Sequence, residues 1–329
     1  NIKFDDNGTA YLEEEQTGKS GYDLTLTIDV NYQNKIDALV KNALESSLGN
    51  PYRQYFDQMQ VVVLNPKTGE IYAMSGGTVI DDKKVVMTPT DTYLSANRVG
   101  SIVKMATIYM GLNEGAIKPG EIIVDEPMQL RGSATMSSYH NYGPIDDVEA
   151  IHVSSNVYMW HIALRLGGNM YVPNMSINLK DDTFDIMRRY FNMFGLGVKT
   201  GIDLPNESIG AIGADQEQGN TLHYAIGQYD TYTAMQMAQY VATIANNGVR
   251  VQPHLLSYAT EVNDKETIVY SKGTNILSTI LGNADYLSRP KQGMIECASD
   301  PNYCGSALTP AYVGEQMAAK TGTAENELY

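Results

Sequence analysis

Two kinds of hydrophobic spacing recur along the chain, and each predicts an element. Leu24, Leu26 and Ile28 alternate with Thr25 and Thr27, the period of two expected of a half-buried strand from Asp23 to Asp29. A helix is predicted from about Tyr32 to Leu48, stopped by Gly49, Asn50 and Pro51. Val61 to Leu64 and Ile71 to Met74 are apolar runs around Asn65, Pro66, Lys67, Thr68 and Gly69, which predicts a hairpin. From Ser101 to Leu112 the apolar positions Ile102, Val103, Met105, Ala106, Ile108, Tyr109, Met110 and Leu112 cover nearly every face, so this helix is expected in the middle of the body. Helices from Val153 to Leu166, Phe184 to Phe194 and Thr233 to Asn246 each stop at or near a glycine, and a fourth is predicted from Ala284 to Cys297. Val249 to Tyr258, Glu266 to Tyr270 and a short run from Gln316 to Lys320 read as strands. The polar opening, through Glu13, Glu14, Glu15, Gly18 and Gly21, reads as a linker. Helices and strands interleave without an internal repeat, a low-complexity tract or a long internal linker, which fits a mixed α/β body.

Length and composition narrow this. The 329 residues set a soft expectation of two domains, with one large domain open. A hydrophobic fraction of 43% and a charged fraction of 19% describe an ordinary folded protein, not a disordered or fibrous one. The net charge is −15, from 38 acidic and 23 basic residues, the wrong sign for neutralising phosphates, so nucleic acid is not an expected partner. No apolar run reaches the roughly 18 residues of a membrane span, and Asn1 begins no export signal. Without an initiator methionine, the chain reads as an excised piece of a longer protein with its anchor upstream. Cys297 and Cys304 are close enough for a local disulfide, and two free thiols are equally compatible with the spacing. Two cysteines and scattered histidines make no zinc pattern, and no cofactor is implied.

Candidate chemistry starts at Ser101 and Lys104. Three residues apart at the start of a buried helix, they share one face. A serine hydroxyl needs a base to become a nucleophile, and a desolvated lysine can serve. The helix start also offers backbone N–H groups to a developing oxyanion. Ser288 to Lys291 repeats the spacing, but Pro290 inside it argues against a helix there. Two companion patterns each occur three times. Ser-x-Asn, able to relay a proton and hold an amide, appears at Ser95, Ser154 and Ser176; Lys-Thr-Gly appears at Lys67, Lys199 and Lys320, with Lys-Ser-Gly at Lys19. Lys67 falls in the hairpin turn and Lys199 in a loop after a helix exit. Lys320 sits instead in an extended run of small residues, where Gly322 would let a substrate backbone approach closely. Ser154 stands at the first turn of a predicted helix, where its own sequence position also suits a simple N-cap.

The order of these segments resembles a family. Arg98-Val99-Gly100-Ser101-Ile102-Val103-Lys104, Val153-Ser154-Ser155-Asn156-Val157 and Ala319-Lys320-Thr321-Gly322-Thr323-Ala324-Glu325 look like the three motifs of penicillin-binding proteins. Similar segments run throughout: Asp23 to Asp29, Val63 to Met74, Phe194 to Gly197 with Thr200 to Pro205, and Ala225 to Gln228 with Gln236 to Ala238. They are similar to the class B, monofunctional transpeptidases, and Ser137-Ser138-Tyr139-His140-Asn141 to Gram-positive members. Val99 stands where most relatives have proline.

The resemblance implies a transpeptidase fold of the serine β-lactamase type, with a central antiparallel sheet between helical layers. It implies a linker over 1–22 from an absent pedestal and a transpeptidase domain over 23–329, C-terminally incomplete because relatives continue through two more strands and a helix, which leaves Lys320 on an uncovered edge. It further implies a D,D-transpeptidase that cross-links peptidoglycan stem peptides through an acyl-enzyme on Ser101. Lys104 is then the base, Ser154 the proton relay and Asn156 the amide binder. Lys320, Thr321, Gly322 and Thr323 line the substrate, with the N–H groups of Ser101 and Thr323 as the oxyanion hole. Stem peptides, β-lactams and, through absent regions, glycosyltransferase, elongation or division proteins are the implied partners, at the outer face of the bacterial membrane. A β-lactam sensor or a serine β-lactamase would share the serine and lysine, although no Glu-x-x-Leu-Asn segment supports the latter.

Overall fold

The computed structural model describes residues 2–12, 21–51, 53, 55–81, 84–215, 217–304 and 317–325. Glu13, Glu14, Glu15, Gly18, Lys19 and Gln316 lie outside these. Contacts divide the molecule into two units, and the division does not follow the expected boundary at residue 22: one unit takes the chain up to Thr27 together with Leu256–Gly273, the other takes Ile28–Leu255 and the chain from Thr274.

The smaller unit is a three-stranded antiparallel sheet in which Leu256–Glu261 lies between Asp264–Ser271 and Tyr22–Leu26. Ile2–Phe4 and Ala10–Leu12 form a separate hairpin within the opening segment. The strand expected over Asp23 to Asp29 ends at Leu26, and all five of its residues are exposed rather than half-buried. The strand expected from Val249 to Tyr258 is two strands, Val249–Val251 and Leu256–Glu261, because Pro253 cannot donate to a ladder.

The larger unit carries the predicted hairpin, extended into a sheet of Gln58–Leu64, Ile71–Ile80 and Lys84–Met87, all antiparallel. Helix Val30–Glu45 packs on it through the fully buried Val40 and Leu44. That helix starts earlier than expected because Asp29 accepts hydrogen bonds from the N–H groups of Asn31 and Tyr32.

The main core surrounds helix Lys104–Asn113, in which every residue from Lys104 to Leu112 is buried. Helices Asn156–Leu166, Thr183–Met193 and Ala234–Ala245 contribute the surrounding apolar faces. Tyr109 meets Tyr190 and Phe194 edge-on, at ring centroid separations of 6.2 and 5.4 Å, and Phe194 meets Tyr240 likewise at 5.7 Å. Two short helices, Asp147–His152 and Asn220–Ala225, escaped the periodicity reading. The first has a readable signature, since Asp146 and Glu149 form a capping box.

Two further expectations are corrected. Pro290 does not exclude a helix: Ser288–Ser299 runs through it, because Pro290 occupies the first turn, where its missing N–H has no partner to lose. Among the described residues, 317–325 form no strand, and the Ala319 N–H donates to Met294 O at 3.0 Å. The open alternative at the cysteines resolves as a Cys297–Cys304 disulfide with a Cα–Cα distance of 5.0 Å.

Candidate active site

Ser101 does not begin an α-helix. Gly100–Val103 is a 3₁₀ turn leading into Lys104–Asn113, and the N–H of Lys104 donates to Ser101 O. In a 3₁₀ turn residues i and i+3 eclipse, so Ser101 and Lys104 stack more directly than on an α-helix. Tyr240 holds the junction: its hydroxyl donates to Ile102 O at 3.1 Å and accepts from Ala106 N at 3.0 Å.

The turn before Ser101 is pinned by close backbone approaches. Gly100 has φ +59° and Gly227 φ +77°, conformations that favour glycine. A Cβ on Gly100 would lie 2.1 Å from Thr323 O, one on Gly227 2.1 Å from Gly100 O, and one on Gly322 2.4 Å from Val99 O. Gly100 N donates to Gly227 O at 3.0 Å. Gln228 clamps the same segment, donating to Thr323 O at 3.2 Å and accepting from Glu325 N at 3.1 Å. The first and third motifs are therefore in backbone contact, although they are more than 200 residues apart in sequence.

Ser154 enters from the turn between helices Asp147–His152 and Asn156–Leu166. The helix N-cap is Ser155, whose hydroxyl accepts from Tyr158 N at 2.9 Å, and not Ser154. Ser154 instead has φ +60°, in the left-handed region, a strained placement for a serine. Released from capping, its hydroxyl accepts from Lys104 Nζ at 3.3 Å and from Lys320 Nζ at 2.8 Å. Lys104 Nζ also donates to Ser154 O and to Asn156 Oδ1, both at 2.7 Å. Among the described residues the bonds of Lys104 Nζ go to the second motif, and none goes to Ser101.

Two lysine amines on one hydroxyl cannot both stay charged cheaply. Lys104 is fully buried, and its amine is held well below the ordinary lysine range, first by desolvation and then by the Lys320 charge, with Asp125 opposing. Lys320 is itself pushed down to about 8 by desolvation. Desolvation and the Lys320 charge both favour loss of the Lys104 proton, the direction a general base for a serine hydroxyl requires.

The competing tripeptides sit elsewhere. The N–H of Lys67 caps onto Asn65 Oδ1 within the hairpin turn at 2.9 Å. Thr200, following Lys199, is held by the Glu207 carboxylate. Asn97 pairs with Tyr232 in a two-residue bridge, and Asn178 exchanges hydrogen bonds with Asn169. Ser288 Oγ turns back to Asp285 O while Lys291 Nζ reaches Asn247, so that serine and lysine part company. Thr321, Gly322 and Thr323 lie exposed beside Lys320. A cavity of about 720 Å³ lined by Val62, Leu64, Val99, Ile102, Met237 and Lys320 adjoins the site from its apolar side; Ser101, Lys104 and Ser154 do not line it.

Sequence reasoning missed Asp125 and Gln228 as contributors to the site. Asp125 lies at the end of a three-residue strand, too short to show a period. No group of histidine, cysteine and acidic side chains that could hold a metal occurs among the described residues.

A family model described as "Penicillin binding protein transpeptidase domain" matches residues 59–327. The chain is 36% identical to "Penicillin-binding protein 2A" of Bacillus subtilis (strain 168), over 97% of this chain and 45% of that protein. It is 36% identical to "Penicillin-binding protein 2B" of Streptococcus pneumoniae (strain ATCC BAA-255 / R6), over 94% and 47%. The solved structure of penicillin-binding protein 2B from Streptococcus pneumoniae strain R6 superposes with a TM-score of 0.91 at 33% identity, covering 99% of this chain and 55% of that one. The chain thus spans about half the length of the curated relatives it matches.

Proposed function

This chain belongs to the penicillin-binding protein transpeptidase domain family, and we propose from that premise that it is a serine D,D-transpeptidase acting on peptidoglycan stem peptides. In this reading Ser101 Oγ attacks the penultimate D-alanine carbonyl. The ester C–O bond forms, the amide C–N bond breaks, and the terminal D-alanine leaves. The hydroxyl proton passes to neutral Lys104 and returns through Ser154 to the leaving amine. An amine of a neighbouring strand then attacks the ester and regenerates Ser101.

Asn156 would bind the substrate amide, and Lys320 with Thr321 its carboxylate. Gly322 would allow the substrate backbone to pass close. The N–H groups of Ser101 and Thr323 would stabilise the oxyanion; the approach of Gly100 to Thr323 supports this pairing. β-Lactams would acylate Ser101 as mimics of the D-alanyl-D-alanine end. Such a domain would work at the outer face of the cell membrane, with glycosyltransferase, elongation or division proteins as partners. No described helix is long and apolar enough to cross a membrane.

One observation carries the reading: residues 50 and 166 positions from Ser154 bring their amines to its single hydroxyl. Labelling with a fluorescent penicillin tests it. The wild type should label and Ser101→Ala should not; a substituted protein that still labels at the site refutes the assignment of the nucleophile. Adding a stem peptide with an amine acceptor separates enzyme from sensor, because a sensor acylates without forming cross-linked product.

A further inference from the structure

We propose that Asp125 is a positioning residue for this reaction: one buried carboxylate, acting through two serine hydroxyls, sets the backbone that presents Ser154 and Asn156. The proposal rests on the reading above.

Asp125 ends strand Ile123–Asp125, paired antiparallel with Gly143–Ile145, and is 1% exposed. Its Oδ2 accepts from Ser138 Oγ at 2.7 Å and from Ser155 Oγ at 2.5 Å. Having donated their protons there, both hydroxyls are left as acceptors. Ser138 Oγ takes the N–H groups of Asn156 at 2.9 Å and Val157 at 3.2 Å, and Ser155 Oγ takes that of Tyr158 at 2.9 Å. Three of the orphan N–H groups at the start of helix Asn156–Leu166 are thus satisfied by a cap whose orientation one carboxylate dictates.

An ordinary N-cap needs no such anion behind it. The other oxygen, Asp125 Oδ1, is buried and has no hydrogen-bond partner among the described residues. A buried carboxylate with an unpaired oxygen is a standing penalty on stability, which points to a role in the site instead. The geometry supplies one. Ser154 immediately precedes the cap, in a strained left-handed conformation that persists only where its surroundings over-determine it. Asn156 immediately follows, and its side chain accepts from Lys104. The Asp125 charge also opposes the two influences that discharge Lys104. The charged groups bearing on Lys104 are Lys320, from the third motif, and Asp125, from below the second.

The test is the pH profile of penicillin acylation, with the non-covalent binding constant and the rate constant resolved separately, for wild type, Asp125→Asn and Ser138→Ala. Asn keeps the shape and removes the charge. It should lower the acylation rate constant by roughly 10- to 100-fold with little change in prior binding, as expected for misplaced groups. Its acid limb should also move to lower pH, since loss of the nearby anion makes Lys104 easier to deprotonate. Ser138→Ala keeps the charge, so it should lower the rate and leave the limb in place. A merely structural role would lower the amount of labelled protein and move neither the limb nor the rate per folded molecule. If Asp125→Asn melts below the assay temperature, Ser138→Ala carries the test alone, and a wild-type rate there overturns the proposal. If the wild type labels and Asp125→Asn keeps both its rate and its profile, the Asp125 proposal is refuted while the enzyme reading stands. If the wild type itself fails to acylate, the enzyme reading fails and this proposal falls with it.

Discussion

Alanine in place of Gly100 should disable the site without touching any side chain that performs chemistry. Two effects add. Holding an L-residue at φ +59° costs about 1 kcal/mol. The new methyl would also meet Thr323 O at 2.1 Å, against backbone. Ordinary contact requires the two segments to separate by at least about 1.3 Å. Gln228 resists that separation through its bonds to Thr323 O and Glu325 N, so part of the strain stays in the turn that carries Ser101. We expect a loss of about 2 kcal/mol in stability, a fall in Tm of roughly 3 °C for a chain of this size. Acylation should slow by roughly 100-fold, the consequence of an ångström-scale misplacement at a reacting centre. The assay is the time course of fluorescent-penicillin labelling below both melting temperatures, beside a calorimetric scan. Gly132→Ala is the control: it has φ +79° with nothing within 4 Å of its would-be Cβ, so it carries the conformational penalty alone and should label at the wild-type rate. If Gly100→Ala labels within a few-fold of wild type, the close approach of the first and third motifs does not control reactivity.

Three further outcomes can be checked. Burial, and then Arg165, push the His161 imidazole down to about 4, so its folded form stays neutral where the unfolded form takes a proton; the stability it provides is present above pH 6.5 and lost as pH falls towards 4, by about 3 kcal/mol at most. His161→Leu should flatten the pH dependence of urea unfolding across that window, and an unchanged slope would contradict this. Breaking the Cys297–Cys304 bridge, by reductant or by serine at both positions, should cost about 2 kcal/mol, because the closed loop is short; a melting curve insensitive to reductant would contradict it. Glu207→Ala removes the acceptor for the N–H groups of Thr200 and Gly201 and for the Thr200 hydroxyl, and should destabilise by about 1–3 kcal/mol while leaving acylation unchanged, because the Lys199 motif is structural; a matching loss of labelling would contradict that.

Local pattern alone determined the buried helix after Ser101, the hairpin around Lys67 and the approximate extents of the helices, because spacing of apolar residues and glycine stops act over a few residues. Ser154 and Lys320 could be singled out among three equivalents each from their local context together with the order of the motifs. Short-range signals were misread where one residue changes meaning with its position in a turn. Pro290 breaks a helix interior and is harmless in a first turn; Ser154 and Ser155 are interchangeable as caps on paper, and only the backbone conformation decides between them. The tertiary structure alone decided which segments far apart in the chain meet: Thr323 against Gly100, Tyr240 on Ile102, and both lysines on one hydroxyl. Asp125 is the clearest case. A lone aspartate in a three-residue strand has no period to betray it, and its significance exists only once Ser138 and Ser155 fold down onto the same oxygen. Periodicity records which side of an element is dry, whereas a reaction site depends on which elements converge, and that is settled by packing of the whole core.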